Sequence, residues 1–171
     1  MPKLIVFRGL QGVGKSSIAK ALSSQLECLV LSVDEIESSI LESGVEKGHE
    51  SGYAAYLVAE LLAKNELAQN RDVIIDACNY VKEAIAIWDG VVANTGANLF
   101  YVNCILDEDI HRKRLESRTR NLYGMREIVW EDVLKRIEDT EELRLEQLEI
   151  DTAGEIEVSV DRILEYVESE Q

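Results

Sequence analysis

A glycine-rich segment near the start of the chain has the residue types and spacing of a phosphate-binding loop. Residues 9–16 read GLQGVGKS, which fits the pattern G-x-x-x-x-G-K-[ST] at every fixed position. In this pattern the glycines let the backbone wrap closely around a phosphate, and successive N–H groups point at its oxygens. The predicted phosphate-binding residues are Gly9, Gly12, Val13, Gly14, Lys15, Ser16 and Ser17.

Two side chains of this segment suggest the chemistry of phosphoryl transfer. Lys15 is expected to reach the β and γ phosphates of a nucleoside triphosphate, and the Ser16 hydroxyl is expected to ligate Mg²⁺. An apolar run at residues 4–7 precedes the motif, and helical spacing of apolar residues follows it. Because this is the setting in which the motif binds phosphate, we predict ATP and Mg²⁺ as the cofactors.

Carboxylates for such a reaction stand at the ends of two other apolar runs. Asp34 and Asp76 each follow a run, so both are predicted at the strand edge that carries the loop. One carboxylate would support the metal and the other would accept the acceptor's proton, although either can instead cap a helix. Asn79 is expected either to hydrogen-bond a substrate hydroxyl or to begin the next helix, and Asp107 is expected only to cap.

Five arginines form the one concentrated positive segment of an acidic chain. Arg118, Arg120 and Arg126 lie in a polar stretch, residues 118–127, which we predict to be a lid. Guanidinium groups suit polyphosphate, so these three are expected to contact phosphate during catalysis, and a closed lid would exclude water. For Arg112 and Arg114, phosphate contact and a salt-bridged helix face remain equal alternatives.

Short apolar runs alternate with helical patterns along the whole chain, which predicts an α/β fold. Because strands so separated pair in parallel and are covered on both faces, we expect three layers around a five-stranded parallel sheet. The strand ends then meet along one ligand-binding edge. Strands are predicted at 4–7, 28–33, 73–76, 99–106 and 148–151, and helices at 16–26, 50–70, 81–94, 108–117, 128–147 and 155–168.

Composition limits the partners and the compartment. The formal net charge of −15 disfavours long nucleic acids, because polynucleotides prefer basic protein faces. Three widely spaced cysteines and two histidines do not suggest a zinc site, and the histidines are assigned no chemistry. With no leader pattern and no apolar run of 18 residues, we expect one cytoplasmic domain over residues 1–171, without a membrane span.

In the order and spacing of these features the chain resembles the small P-loop kinases, an AAA-type group. These include gluconate kinase, chloramphenicol phosphotransferase, zeta toxins and the kinase domain of polynucleotide kinase. The resemblance implies that Asp34 is a general base and that Asp76 and Asn79 form an Asp-x-x-Asn pair near substrate or metal. It also implies that Arg118 stacks on adenine or contacts phosphate, and that the loop from Thr152 to Glu155 flanks the base.

One departure from this group bears on the acceptor. Polynucleotide-type members have an arginine shortly after the second-strand aspartate, whereas here Glu35 and Glu37 follow Asp34. These carboxylates would repel a phosphorylated acceptor, so the sequence favours a neutral or cationic small molecule.

The sequence therefore predicts a kinase that phosphorylates a hydroxyl of a small, non-phosphorylated acceptor. A polynucleotide or nucleoside kinase is one alternative, and a regulatory protein that binds and slowly hydrolyses ATP is another. An Asn-Lys-x-Asp base-reading motif is missing, which disfavours a GTP switch. The intact Lys15 and Ser16 disfavour a degenerate loop.

Overall fold

The protein has five strands and seven helices over the residues described by its computed structural model, 1–140 and 143–169. Their order along the chain alternates strand and helix, with two helices in succession at two points. The elements are β1 (Lys3–Arg8), α1 (Lys15–Leu26), β2 (Leu29–Ser32), α2 (Val33–Glu42), α3 (His49–Ala68), β3 (Val73–Asp76), α4 (Lys82–Thr95), β4 (Asn98–Ile105), α5 (Glu108–Ser117), α6 (Trp130–Glu138), β5 (Gln147–Asp151) and α7 (Ile156–Glu168).

The strands form one parallel sheet in the order β2-β3-β1-β4-β5. Strand β1 lies at the centre, and the loop that follows it leaves the sheet beside the end of β3, where Phe7 is level with Asp76. Parallel strands place all their carboxyl ends at one edge. The predicted α/β fold with a five-stranded parallel sheet is confirmed.

Two hydrophobic clusters cover the two faces of this sheet. Alternate residues of β1 point to opposite faces: Leu4 and Val6 pack in a cluster with residues of α3 and α4, and Ile5 and Phe7 pack in a cluster with residues of α1 and α7. Because both faces are buried, the strands are continuously apolar, which is why the short runs in the sequence were readable as strands.

The second strand is shorter than predicted and turns directly into a helix. Strand β2 ends at Ser32, whose hydroxyl accepts a hydrogen bond from Glu35 N at 3.4 Å and so caps α2. Asp34 therefore lies in the first turn of α2 and is not the cap. Asp76 and Asn79 do not begin a helix either, since α4 starts at Lys82. The predicted capping role of Asp107 is confirmed.

The predicted helix 128–147 is wrong beyond its first half. Helix α6 ends at Glu138, residues 141 and 142 lie outside the described residues, and β5 begins at Gln147. Leu143 and Leu145 pack against the α3–α4 cluster instead. Their two-residue spacing puts both side chains on one side of an extended segment, which a helix does not allow.

The stretch 118–127, here called the lid, has no helix or strand and connects α5 to α6. A third, small cluster of Leu115, Trp130 and Val133 fixes the two helices at its ends. Within the described residues, no helix combines the length and apolar character needed to cross a membrane.

Candidate active site

The predicted phosphate-binding loop connects β1 to α1, and its conformation requires glycine. Gly9, Gly12 and Gly14 have φ values of 141°, 88° and 107°, a region that L residues with a side chain rarely adopt. A Cβ at Gly9 would lie 2.7 Å from the Cys104 carbonyl oxygen. The loop is therefore a close-fitting backbone turn at the edge of the sheet.

Lys15 lies against this loop. Its ammonium donates hydrogen bonds to the Gly9 carbonyl at 2.7 Å and the Leu10 carbonyl at 2.9 Å, and its side chain is buried. Ser16 and Ser17 are exposed in the first turn of α1. A cation, two hydroxyls and the N-terminal end of a helix thus meet at the loop, an arrangement that favours a phosphate.

Residues far along the chain hold the loop from outside. His111 Nε2 lies 2.7 Å from the Gln11 carbonyl oxygen, and the Thr152 hydroxyl donates to the Val13 carbonyl. Arg114 in turn donates to the Thr152 hydroxyl at 3.3 Å. Burial lowers the pKa of His111 despite the hydrogen bond to Gln11, which raises it. No local feature of the sequence indicates this role of His111.

Both predicted aspartates line the cavity that the loop borders, which has a volume of about 340 Å³. Asp76 is buried at the end of β3, and Asp34 is partly exposed in α2. Burial raises the pKa of the neighbouring Cys78 thiol and raises that of Cys104 to about 12, which disfavours their thiolate forms.

Two of the three predicted lid arginines, Arg118 and Arg120, line this cavity. Arg120 Nη1 donates to Asp34 Oδ2 at 2.5 Å, which joins the lid to α2. The pKa of Arg118 is lowered mainly by burial and, to a smaller extent, by the charge of Arg120. Within the described residues, neither an ion pair nor a hydrogen bond holds its guanidinium. Arg118 is thus a partly desolvated cation facing the cavity.

The other arginines divide differently from the prediction. Arg126 does not line the phosphate-loop cavity and pairs with Asp132 through both terminal nitrogens, at 2.7 and 2.5 Å. Arg112 pairs with Glu116 at 3.0 Å on the exposed face of α5, whereas Arg114 lines the cavity. The predicted phosphate contact of Arg126 therefore stays a prediction, and Arg114 is a cavity residue that the sequence left undecided.

Asn79 also departs from its predicted role. Its side chain is almost fully buried, its Nδ2 donates to the Phe7 carbonyl at 2.7 Å, and its Oδ1 accepts from Trp88 Nε1 at 2.9 Å. Its own carbonyl accepts from the buried Arg8 Nε at 3.0 Å. With both ends of the amide engaged and the side chain almost fully buried, Asn79 braces the loop after β3 and is not exposed to a substrate hydroxyl.

A second cavity of about 190 Å³ adjoins the first. Three residues, Gln11, Asp34 and Arg120, line both cavities. The Asp34–Arg120 ion pair therefore stands at their junction. The remaining lining residues of the second cavity are Glu37, Lys47, Leu122, Met125, Arg126, Glu127, Ile128 and Arg136.

The residues of the first cavity fit a nucleotide polyphosphate and a divalent cation. Three glycines, Gly9, Gly12 and Gly14, leave the loop backbone without side chains at their positions, and Lys15, Arg114 and Arg118 supply positive charge around it. Among the described residues no group of three or more His, Cys, Asp or Glu side chains is placed to hold a metal by itself. Mg²⁺ would accordingly depend on Ser16, Asp76 and phosphate oxygens together.

A parallel sheet whose central strand leads through a glycine loop into a helix, with Lys15 and Ser16 at the helix start, defines a P-loop nucleoside-triphosphate-binding protein. The chain belongs to the AAA domain family, whose model matches residues 4–142. A comparison with curated proteins finds no match.

Several solved structures share the fold at low sequence identity. A kinase candidate from Chloroflexus aurantiacus J-10-fl has a TM-score of 0.79 and 18% identity, covering 96% of this chain and 97% of that one. The Mycobacterium tuberculosis APS kinase CysC in complex with AMPPNP and APS has a TM-score of 0.72 and 17% identity, covering 98% of both chains. A gluconokinase from Sinorhizobium meliloti 1021 has a TM-score of 0.65 and 18% identity, covering 99% of this chain and 98% of that one. The chain therefore has the fold of P-loop kinases.

Proposed function

We propose that this protein is a Mg²⁺- and ATP-dependent phosphotransferase that phosphorylates a hydroxyl group of a small acceptor. The observation that carries the proposal is the position of Asp34 at the junction of two adjoining cavities. One cavity has the phosphate-binding loop, and the other is large enough for a small molecule. A carboxylate between them is suited to accept a proton from a hydroxyl beside a phosphate.

The loop side would hold the nucleotide. Bound Mg²⁺-ATP would supply the phosphoryl group and a divalent charge. Lys15 would exchange the carbonyls of Gly9 and Leu10 for phosphate oxygens, and Ser16 and Asp76 would hold the metal. Arg114 and Arg118 already face this cavity and would neutralise the charge on the phosphates.

The ion pair at the junction suggests how the two sides work together. While Arg120 donates to Asp34, one oxygen of the carboxylate is occupied by the guanidinium. Transfer of Arg120 to a phosphate oxygen would release Asp34 to accept the acceptor's proton. The lid would thus activate the base only when the nucleotide is present, which limits wasteful hydrolysis.

The test is Mg²⁺-ATP turnover with sugars, polyols, hydroxy acids, aminoglycosides, nucleosides and a 5′-hydroxyl oligonucleotide. For the acceptor that is used, Asp34→Asn should lower kcat by about 10²- to 10⁴-fold, the usual contribution of a general base, with ATP affinity little changed. Glu35→Gln is the matched control, because Glu35 is the next residue of α2, is exposed and lines neither cavity. Lys15→Ala should abolish turnover both in the wild-type protein and in the Glu35→Gln control.

Three results would contradict the proposal in whole or in part. Tight ATP binding with no acceptor-stimulated turnover would favour the regulatory alternative, and turnover confined to the oligonucleotide or nucleosides would favour the polynucleotide or nucleoside kinase. A kcat of Asp34→Asn within twofold of the wild-type value would exclude Asp34 as the base.

A further inference from the structure

Helix α3 presents a row of large apolar side chains to solvent, here called the α3 stripe. The stripe consists of Tyr53, Leu57, Val58, Leu61 and Leu62, whose exposed fractions range from 38% to 60%. Tyr53, Leu57 and Leu61 follow one another at four-residue spacing, so they lie on one side of the helix, and the other two lie beside them. The five side chains therefore form one contiguous surface about three helical turns long.

This surface carries no charge in a chain of which 30% of the residues are charged. The single charged residue between Ser51 and Ala63 is Glu60, which is only partly exposed and accepts a hydrogen bond from Lys64 Nζ at 2.5 Å. A contiguous exposed apolar surface on a folded protein is typical of an interaction site.

Two other outer helices of the fold have no such face. Helices α1 and α4, both fully described, cover opposite faces of the sheet and expose no large apolar side chain. Their outward positions are polar, for example Lys20 and Ser24 in α1 and Glu83 and Asp89 in α4. An outer helix of this fold therefore does not require an apolar outward face.

The inward side of α3 already has its partners. The helix contacts α2, α4 and the strands β1, β2 and β3. Its buried residues, mostly small, are Ser51, Ala55, Ala59, Ala63 and Leu67. Packing within the described part of the chain thus accounts for the inward side of α3 and leaves the stripe uncovered.

The stripe is symmetrical about Leu57. Tyr53 and Leu61 lie four residues to either side of it, and Glu50 and Lys64 lie seven residues to either side. Two copies of α3 that cross in opposite directions at Leu57 would bring Tyr53 of each copy to Leu61 of the other, and Glu50 to Lys64. A parallel pair would instead bring Glu50 to Glu50. Because Lys64 is also paired within its own helix, this contact sets the direction of the pair more than its strength.

The area of this face suits a weak dimer. A helix of 20 residues is about 30 Å long and about 10–12 Å wide, so one exposed side offers roughly 500–700 Å² per copy. Two copies would together bury about 1,000–1,400 Å², which is at the lower end of specific protein interfaces. An interface of this size with an apolar centre fits a dissociation constant on the order of 10 μM.

We propose that the protein forms a homodimer through the α3 stripe, with the two α3 helices antiparallel about a twofold axis at Leu57. A twofold contact uses the same surface on both copies, which one symmetrical stripe provides. The net charge of −15 disfavours nucleic acids and anionic membranes as occupants, whereas two copies would meet here across an uncharged surface. The stripe lines neither cavity, so this inference is independent of the proposed function.

Sedimentation equilibrium measures the self-association of the chain over about 1–200 μM, a range that brackets the expected dissociation constant. A monomer–dimer equilibrium is expected. Raising the salt concentration should tighten the dimer, because salt screens the repulsion between two acidic copies. A protein that is entirely monomeric over the whole range would overturn the inference.

Variants assign the association to the stripe. Leu57→Gln and Leu61→Gln should each weaken the dimer by about a hundredfold, because each apolar side chain contributes about tenfold and the change is present on both copies. Val158→Gln is the matched control: Val158 lies in α7 and is 59% exposed, against 60% for Leu61. Thermal unfolding of each variant checks that the fold is kept. A dimer unchanged by both leucine variants, or weakened equally by the control, would use another face and overturn the inference.

Cysteine variants test the direction of the helices. On oxidation, a mixture of Tyr53→Cys and Leu61→Cys should give a disulfide-linked dimer that neither variant gives alone, because antiparallel helices bring position 53 to position 61. The wild-type protein, whose Cys28 and Cys78 are not fully buried, gives the background. Crosslinking of Tyr53→Cys by itself would indicate parallel helices and overturn the antiparallel dimer.

Discussion

The phosphate-binding loop and the lid border the same cavity, yet they are held in place by different interactions. Buried hydrogen bonds hold the loop and the strand before it: His111 to Gln11, Thr152 to Val13 and Asn79 to Phe7. Ion pairs with exposed members hold the lid: Arg120 to Asp34, and Arg126 to Asp132.

This difference predicts different mechanical behaviour. A buried group that loses its hydrogen-bond partner costs about 1–3 kcal/mol, whereas an exposed ion pair contributes about 0–1 kcal/mol. The loop is therefore preorganised before any ligand binds. The lid can change partners at small cost, as the proposed transfer of Arg120 from Asp34 to a phosphate requires.

The largest effect is expected where a side chain is forced into the loop. Gly9→Ala should lower the free energy of unfolding by about 4 kcal/mol, because φ is 141° and the new Cβ would lie 2.7 Å from a backbone oxygen. Gly90→Ala is the control: it lies within α4 with nothing within 4 Å, so it should gain about 0.5–1 kcal/mol. Urea unfolding measures both, and equal stabilities would show that the loop is not so constrained.

The second-largest expected effect distinguishes a structural role of Asn79 from a substrate-binding role. Asn79→Ala should destabilise the protein by about 3 kcal/mol, because it leaves the Phe7 carbonyl and Trp88 Nε1 unpaired in the core. Asn121→Ala in the lid should cost less than about 1 kcal/mol. The two residues have φ values of 54° and 53°, so backbone strain is matched. Wild-type stability with a raised acceptor KM in Asn79→Ala would restore the substrate-binding role.

The same contrast explains how much the sequence could predict. The phosphate-binding loop could be predicted because its motif is contiguous and each of its glycines adopts a positive φ that favours glycine. The strands were readable because a sheet covered on both faces needs continuously apolar runs. Asp34 and Asp76 were placed near the loop by the rule that parallel strand ends share one edge, although Asp34 belongs to a helix.

Contacts between distant parts of the chain could not be predicted from the sequence. His111 lies 100 residues from its partner Gln11, and the Asp34–Arg120 pair spans 86 residues. Arg118, Arg120 and Arg126 look alike in sequence, yet only the first two face the phosphate-loop cavity. Which arginine meets which acid depends on how α2, α5 and α6 pack, and local periodicity does not encode that.

A smaller effect is expected in the pH dependence of stability, because the hydrogen bond from His111 to the loop involves a titratable group. The Gln11 carbonyl only accepts hydrogen bonds, so His111 carries a proton on Nε2, and the lowered pKa favours the neutral ring. Since burial lowers the pKa of folded His111, its contribution to stability is fully present above the unfolded value of about 6.5 and is lost as pH falls below it. Between pH 7 and 5 the unfolding free energy should fall more steeply in wild type than in His111→Gln. Identical slopes would show that His111 is not buried in its neutral form.

The smallest expected effect tests one of the exposed ion pairs that hold the lid. Two hydrogen bonds from Arg126 and one from Val129 N lower the pKa of Asp132 to about 2. The pair therefore stabilises the fold above the unfolded pKa of Asp132, and this contribution is lost as pH falls toward 2. In Arg126→Gln an NMR titration should show the Asp132 pKa raised, while Arg112→Gln, which breaks the exposed pair with Glu116, should leave it unchanged. An unchanged Asp132 pKa in Arg126→Gln would mean that this ion pair does not hold the lid in solution, and the lid would then depend on Arg120 and on the hydrogen bond from Ser38 Oγ to the Tyr123 carbonyl.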